Sequence, residues 1–184
     1  MPGAPDMFVR TILFLLLAMS STLLIADEPS MGPIIGDYGP TYPIEYRDVP
    51  LAEGFTFRVV FDAGAYPGEV DSLNSELVSV ARYLNMHGRN GVPLENMDIA
   101  VVLHGNALKG ALSDAAYESR YQTKNPNLDL LQKLDAAGVK FYACGQSMHF
   151  RGFEKKELVS PVKVGLSAMT MLTVLQSDGY ALLP

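Results

Sequence analysis

Cys144 is the only cysteine of the chain. It stands directly after a short run of strand-forming residues, Val139-Lys140-Phe141-Tyr142-Ala143, and directly before Gly145-Gln146-Ser147-Met148-His149. A thiolate is both a nucleophile and a metal ligand, and position decides whether it forms. If a helix opens near Gln146, its first amides and positive dipole end favour thiolate over thiol. Gly145 would let backbone or ligand approach closely, and Arg151, Lys155 and Lys156 would add positive potential if they fold over the same edge. The same residue has a plainer reading, because a lone cysteine after an apolar strand is often just a small buried hydrophobe. Without a second cysteine it cannot close an intramolecular disulfide. It is a buried thiol, an intermolecular half-cystine or a reactive group.

Two other polar residues fall at strand ends, where ligands bind in open parallel sheets. His104 follows the apolar run 99–103 and can act as a base or hold a proton near the thiol. It can equally serve the turn at Gly105. Asp62 follows the run 55–61, and its plain alternative is a helix cap. Asn106 and Gln146 complete the expected pocket with Asp62 and Gly145. His149 either partners Cys144 or points outward. Cys144, Met148 and His149 are soft or borderline ligands that suit copper or zinc, but no second cluster shares their spacing, so metal is the minor alternative. No glycine motif that cradles phosphate follows any strand, no Gly-x-Ser-x-Gly elbow occurs, and no cofactor is called for.

The elements that must position these residues follow from periodicity. Residues 99–103 form a continuous apolar run, as in a parallel strand buried on both faces. Between the first two strands, Leu73, Leu77, Val80, Ala81 and Leu84 keep helical spacing behind an Asp71-Ser72 cap, with Gly88 and Gly91 closing the helix. A weakly helical stretch holds Ser113, Asp114, Tyr117, Glu118 and Arg120. Asn125-Pro126 then opens a helix presenting Leu130, Leu131, Leu134 and Ala137. Beyond the strand at 139–143, residues 162–164 read as a fourth strand, 166–175 as a buried helix and 180–183 as a last short strand. Strands alternating with helices predict one α/β domain, a three-layer flavodoxin-like open sheet, mostly parallel.

The chain has 184 residues, 48% of them hydrophobic, and a formal charge of −6. That charge argues against nucleic acid as a partner, since such binding rests on Lys and Arg contacts to phosphate. Three segments are expected. Residues 1–26 read as a secretory signal peptide, with Arg10 before an apolar run and Asp27-Glu28-Pro29 after it. The alternative is a retained anchor, because about 20 apolar residues span a bilayer. Residues 27–54 are rich in proline and glycine with Tyr38, Tyr42, Ile44 and Tyr46 interleaved, which suggests an arm lying on an apolar surface or a spacer. Residues 55–184 hold the domain. A signal peptide implies a periplasmic protein with no membrane association once it is removed.

Three stretches together resemble the DsrE/DsrF-like family: Val102-Leu103-His104-Gly105-Asn106-Ala107, Gly138-Val139-Lys140-Phe141-Tyr142-Ala143-Cys144-Gly145-Gln146, and Ser167-Ala168-Met169-Thr170 with Leu175-Gln176 and Gly179-Tyr180. The likeness is to its exported branch and covers about residues 55–183. The resemblance implies a small α/β protein that carries sulfur as a cysteine persulfide and assembles into homo-oligomers. The sulfur-bearing position is Cys144, and the partner is a small sulfur species or a sulfur-carrying protein. The role implied is a sulfurtransferase-like carrier rather than a turnover enzyme. The rival reading is a non-catalytic assembly module with a buried thiol. The signal segment, the arm and the lack of a second cysteine depart from the cytoplasmic relays.

Overall fold

A computed structural model describes residues 28–184. The expected signal peptide at residues 1–26 lies outside the described residues. Five strands form one sheet: β1 (Phe57–Ala63), β2 (Met97–Leu103), β3 (Lys140–Cys144), β4 (Val162–Gly165) and β5 (Ala181–Leu183), in the order β4-β3-β2-β1-β5. Every pairing is parallel. The helices are α1 (Ser75–Arg89), α2 (Asp114–Tyr121), α3 (Leu128–Ala136), α4 (Gly145–Arg151) and α5 (Ala168–Ser177). This is the expected three-layer flavodoxin-like α/β fold, with a sheet that is wholly rather than mostly parallel.

Side chains alternate across a strand, and the alternation divides the core. Val59, Phe61, Ile99, Val101, Leu103, Phe141 and Ala143 bury against α1, α2 and α3. Val60, Ala100, Val102 and Cys144 bury against Ala168 and Leu175 of α5, with Tyr180. The chain leaves β4 at one edge and returns as β5 at the other, so α5 crosses this second face. Among the described residues it is the helix that covers it.

Several boundaries differ from expectation. The cap of α1 is Asn74, whose side chain accepts from the Glu76 amide, not Asp71 or Ser72. Asn74 is fully buried and its own amide donates to Asn127, so tertiary contacts select the capping residue. Gly88 lies inside α1, which runs on to Arg89. The helix after Asn125-Pro126 starts at Leu128, and Asn125 instead closes the turn by donating to the carbonyls of Gly110 and Leu112. The expected buried helix is α5, and only Ala168 and Leu175 of it are buried. Met169 is 78% exposed and Leu166, just before it, 70%. The apolar composition is real, but one helix on a sheet buries only one stripe of itself.

The arm is attached. Asn85 of α1, fully buried, accepts from the amides of Ile34 and Ile35 and donates to the carbonyls of Ile35, Tyr38 and Gly39. Arg89 gathers the carbonyls of Ser30, Met31 and Gly32 and the Thr41 hydroxyl, and Ile35 joins the core. An amide side chain has two donors and two lone pairs, and Asn85 uses all of them. Asn85→Ala therefore strands several buried backbone groups. It is expected to lower unfolding free energy by about 3 kcal/mol in urea titration and to open the arm to limited proteolysis. Unchanged stability and protease resistance would contradict this attachment.

Candidate functional site at the carboxyl edge of the sheet

Parallel pairing of β3 with β4 sets Cys144 beside Gly165. Each strand is followed almost at once by a helix, so two helix N-termini meet at the sulfur. Cys144 is the N-cap residue of α4, and its Sγ accepts from the Ser147 amide at 3.4 Å. The Ser147 hydroxyl and the amides of Gln146 and of Ala168, the first residue of α5, lie near enough to favour the thiolate as well. Burial alone would push the thiol up, but these donors outweigh it and hold the Cys144 pKa below a thiol's ordinary value. Cys144 is 4% exposed. It is thus buried and yet set in surroundings that favour its thiolate, so burial alone does not make it inert.

Gly145 makes the convergence possible. A Cβ there would lie 2.8 Å from the Gly165 carbonyl oxygen and 3.2 Å from that of Leu166. Any side chain at this position would push the β4–α5 link away from the thiol.

Asp62 in β1, His104 just after β2 and Cys144 at the end of β3 stand at the same end of three adjacent strands. Cys144 joins the cluster on the α5 face with Val60 and Val102, while the His104–Asp62 pair also lies near Glu76 of α1. His104 Nε2 and Asp62 Oδ1 are 2.7 Å apart. Asp62 is thus the partner of His104 rather than a helix cap, and it lies within β1 rather than after it. The turn beyond His104 is held by the Gly64 carbonyl, which accepts from the amides of Asn106 and Ala107. Gly105 has φ +48°, and a Cβ on it would meet that carbonyl at 2.6 Å. The Gly105 amide donates to the Ser147 hydroxyl, which links the His104 turn to the Cys144 helix.

The remaining expected residues divide. Asn106 is exposed and accepts from the Arg151 guanidinium, so Arg151 does reach this edge. Gln146 is exposed, and its backbone amide favours the Cys144 thiolate. Lys156 pairs with Glu154 in solvent. Cys144, Met148 and His149 do not converge: Met148 packs on the α1 side of the core, Cys144 on the α5 side, and His149 is exposed. Successive turns of α4 send them in different directions. Among the described residues no three His, Cys, Asp or Glu side chains group as a metal site.

Sequence reasoning missed three contributors. Ser147, three residues after Cys144, occupies the position from which a capped helix returns an amide, and that spacing was the available signal. The Ala168 amide could be found only from the β3–β4 pairing. Glu76 approaches the His104–Asp62 pair. Burial pushes its carboxyl above the usual range despite a bond from the Ala65 amide and the nearby His104, and its Oε2 lacks a hydrogen-bond partner.

The family model of the DsrE/DsrF-like family matches residues 57–184. The chain belongs to the DsrE/DsrF-like family. That family is implicated in sulfur relay in general. Among solved structures, a protein of unknown function from Methanobacterium thermoautotrophicum, MTH1491, is 21% identical with a TM-score of 0.52, over 69% of this chain and 97% of that one. The ychN protein from E. coli is 21% identical with a TM-score of 0.48, over 68% and 97%. The likeness to MTH1491 supports the shared fold. No match was found among curated proteins.

Gly145→Ala is expected to cost about 1–3 kcal/mol in denaturant unfolding, as overpacked sites do. It should also slow alkylation of Cys144 at neutral pH by displacing the Ala168 amide. A variant as stable and as reactive as the parent would show that the two helix ends do not depend on this contact.

Proposed function

We propose that this DsrE/DsrF-like protein carries sulfane sulfur as a persulfide on Cys144, passing it between a small sulfur species or sulfur-carrying protein and an acceptor thiol. The observation that carries this reading is the position of Sγ as the cap of α4, accepting the Ser147 amide beside the link to α5, a setting that favours the thiolate and would hold the terminal sulfur anion of a persulfide in the same way. Oriented amides of this kind stabilise anions without reorganising.

The step balances without an oxidant. The Cys144 thiolate attacks the terminal sulfur of a donor R–S–SH. A new S–S bond forms at Cys144, the donor's S–S bond breaks, and the electron pair leaves with R–S⁻. The sulfane sulfur keeps its oxidation level, and unloading onto an acceptor thiolate is the same step in reverse. In this reading His104, oriented by Asp62, takes the thiol proton and returns it to the leaving thiolate. In the free protein no hydrogen bond joins the ring to Sγ, so this transfer belongs to the complex with the donor. Burial of Cys144 shields the persulfide from solvent and restricts donors to those with an accessible terminal sulfur.

Homo-oligomerisation belongs to the same proposal. Leu166, Met169 and Val174 are exposed around α5, with Val164 and Leu182 beside them, and patches of this kind mark interfaces. Replacing Leu166 and Met169 together by Asp should lower the mass seen by light scattering. A parent protein that is already monomeric at micromolar concentration would remove this element. Export through residues 1–26 is also proposed. A chain recovered intact from membranes, rather than cut near Asp27, would overturn that part.

The carrier reading is tested by intact-protein mass spectrometry after incubation with polysulfide. The parent should gain one sulfur atom on Cys144 that a reductant removes. Cys144→Ser should gain none while keeping its fold. His104→Ala should load on the order of a hundredfold more slowly, the usual scale for a lost general acid–base group. A parent that takes up no sulfur leaves the buried-thiol assembly module as the answer.

A further inference from the structure

The α4 face that begins at the thiol ends at a pair of cations. Cys144, Ser147 and Arg151 are spaced to share one side of the helix, and that side lies along the turn after β2. Ser147 takes the Gly105 amide and Arg151 donates to Asn106. Three residues beyond Asn106 stands Lys109, whose Nζ lies 3.9 Å from the centre of the buried Tyr66 ring and 5.6 Å from that of Tyr121. Lys109 is held there by its surroundings. Asn127 donates to the Tyr66 hydroxyl and that hydroxyl donates to the Ser72 carbonyl, so the aromatic platform under the ammonium is fixed.

Arg151 and Lys109 are both half-buried, and among the described residues neither forms an ion pair with a carboxylate, in contrast to Arg120, which pairs with Glu157. Burial and the neighbouring Arg151 push the Lys109 ammonium below its usual range, with Glu69 the carboxylate that opposes this. Two partly desolvated like charges are unfavourable unless an anion joins them. The chain as a whole is acidic, at −6, which makes a local surplus of positive charge the more notable. Beside Arg151 the surface sinks into a depression of about 600 Å³, lined by Tyr121, Phe150, Arg120 and Phe153 among others.

We propose that Lys109 and Arg151 form the binding site for the anionic end of a small organic persulfide or thiol, a molecule bearing a carboxylate at a distance from its sulfur. The proposal rests on the carrier reading above, since it specifies the donor or acceptor for that site. Seven residues of α4 separate Arg151 from Cys144, about 10 Å along the helix. Inorganic sulfide or thiosulfate cannot span that separation, whereas an extended organic thiol can place its sulfur at Cys144 and its charge on the two cations. The burial of Cys144 points the same way, because a slender donor reaches a sulfur that is 4% exposed more readily than a folded surface does.

The test uses the full chain and glutathione derivatives as probes. S-methylglutathione cannot exchange sulfur, so its binding to the Cys144→Ser protein, read by calorimetry, reports the anion site alone. Arg151→Ala and Lys109→Ala should each weaken it roughly tenfold or more, Arg151→Lys should restore part of the loss, and added salt should weaken the parent. Sulfur loading is then compared for glutathione persulfide and for cysteamine persulfide, which has no carboxylate. The parent should prefer the former through a lower KM, and the preference should collapse in Arg151→Ala. Absence of binding at millimolar probe, or binding indifferent to both substitutions in proteins with unchanged melting, overturns the anion site. Loading from both persulfides with equal KM overturns it while leaving the carrier reading intact. Arg151-dependent binding without any loading does the reverse: the anion site stands and the carrier reading falls.

Discussion

The pairing of β4 alongside β3 is the constraint from which the rest of the site follows. In a parallel sheet, neighbouring strands end on the same side, and here both are followed by helices with almost no intervening loop. Cys144 caps one helix, and the first amide of the other helps to lower its pKa. One helix end typically contributes about 0.3–1 kcal/mol to a nearby anion, and more when partly buried. Two ends plus the Ser147 hydroxyl outweigh the cost of burying the thiolate, which is why the net direction is downward despite desolvation being the largest single influence. Gly145 is the spacer that lets the backbones approach.

The same geometry explains why the face toward α5 is thin. A single crossing helix follows from the strand order, since the chain must travel from the β4 edge to the β5 edge. The approach of the start of α5 to Cys144 and the exposure of that helix's outer apolar residues therefore have one origin. The opposite face, with α1, α2 and α3, holds most of the core. There, buried asparagines replace ordinary turn chemistry: Asn74, Asn125 and Asn127 bond to one another and to backbone, and Asn85 binds the arm. Each is buried with its hydrogen-bonding groups engaged, as buried polar networks must be to avoid the cost of unpaired groups.

Much of this was legible in the sequence. Apolar runs gave β2 and β3, helical spacing gave α1 and α3, and the strand ends singled out Asp62, His104 and Cys144. What could not be read was lateral order. Nothing local says that β4 lies beside β3, so the Ala168 amide was invisible. Nothing local says that His104 meets Asp62, since 42 residues separate them. The Asp71-Ser72 cap was a sound local inference overruled by the buried Asn74–Asn127 contact. The buried helix at 166–175 failed because composition reports apolarity and not which neighbour covers it. Cys144, Met148 and His149 looked like a ligand set only while the turn of α4 was left out. Belonging to the DsrE/DsrF-like family supports sulfur relay in general, and the particular chemistry of this chain rests on its own residues.

The central claim is that the free protein holds Cys144 as a readily formed thiolate despite its burial. Ultraviolet titration of thiolate absorbance, taken as the difference between the parent and Cys144→Ser, measures it directly. A single transition is expected with its midpoint below the value of about 8.5 for an unperturbed cysteine, moving upward in Ser147→Ala as the nearby hydroxyl is lost. A midpoint above that value, unmoved by Ser147→Ala, would contradict the account and return Cys144 to the status of a buried, inert thiol.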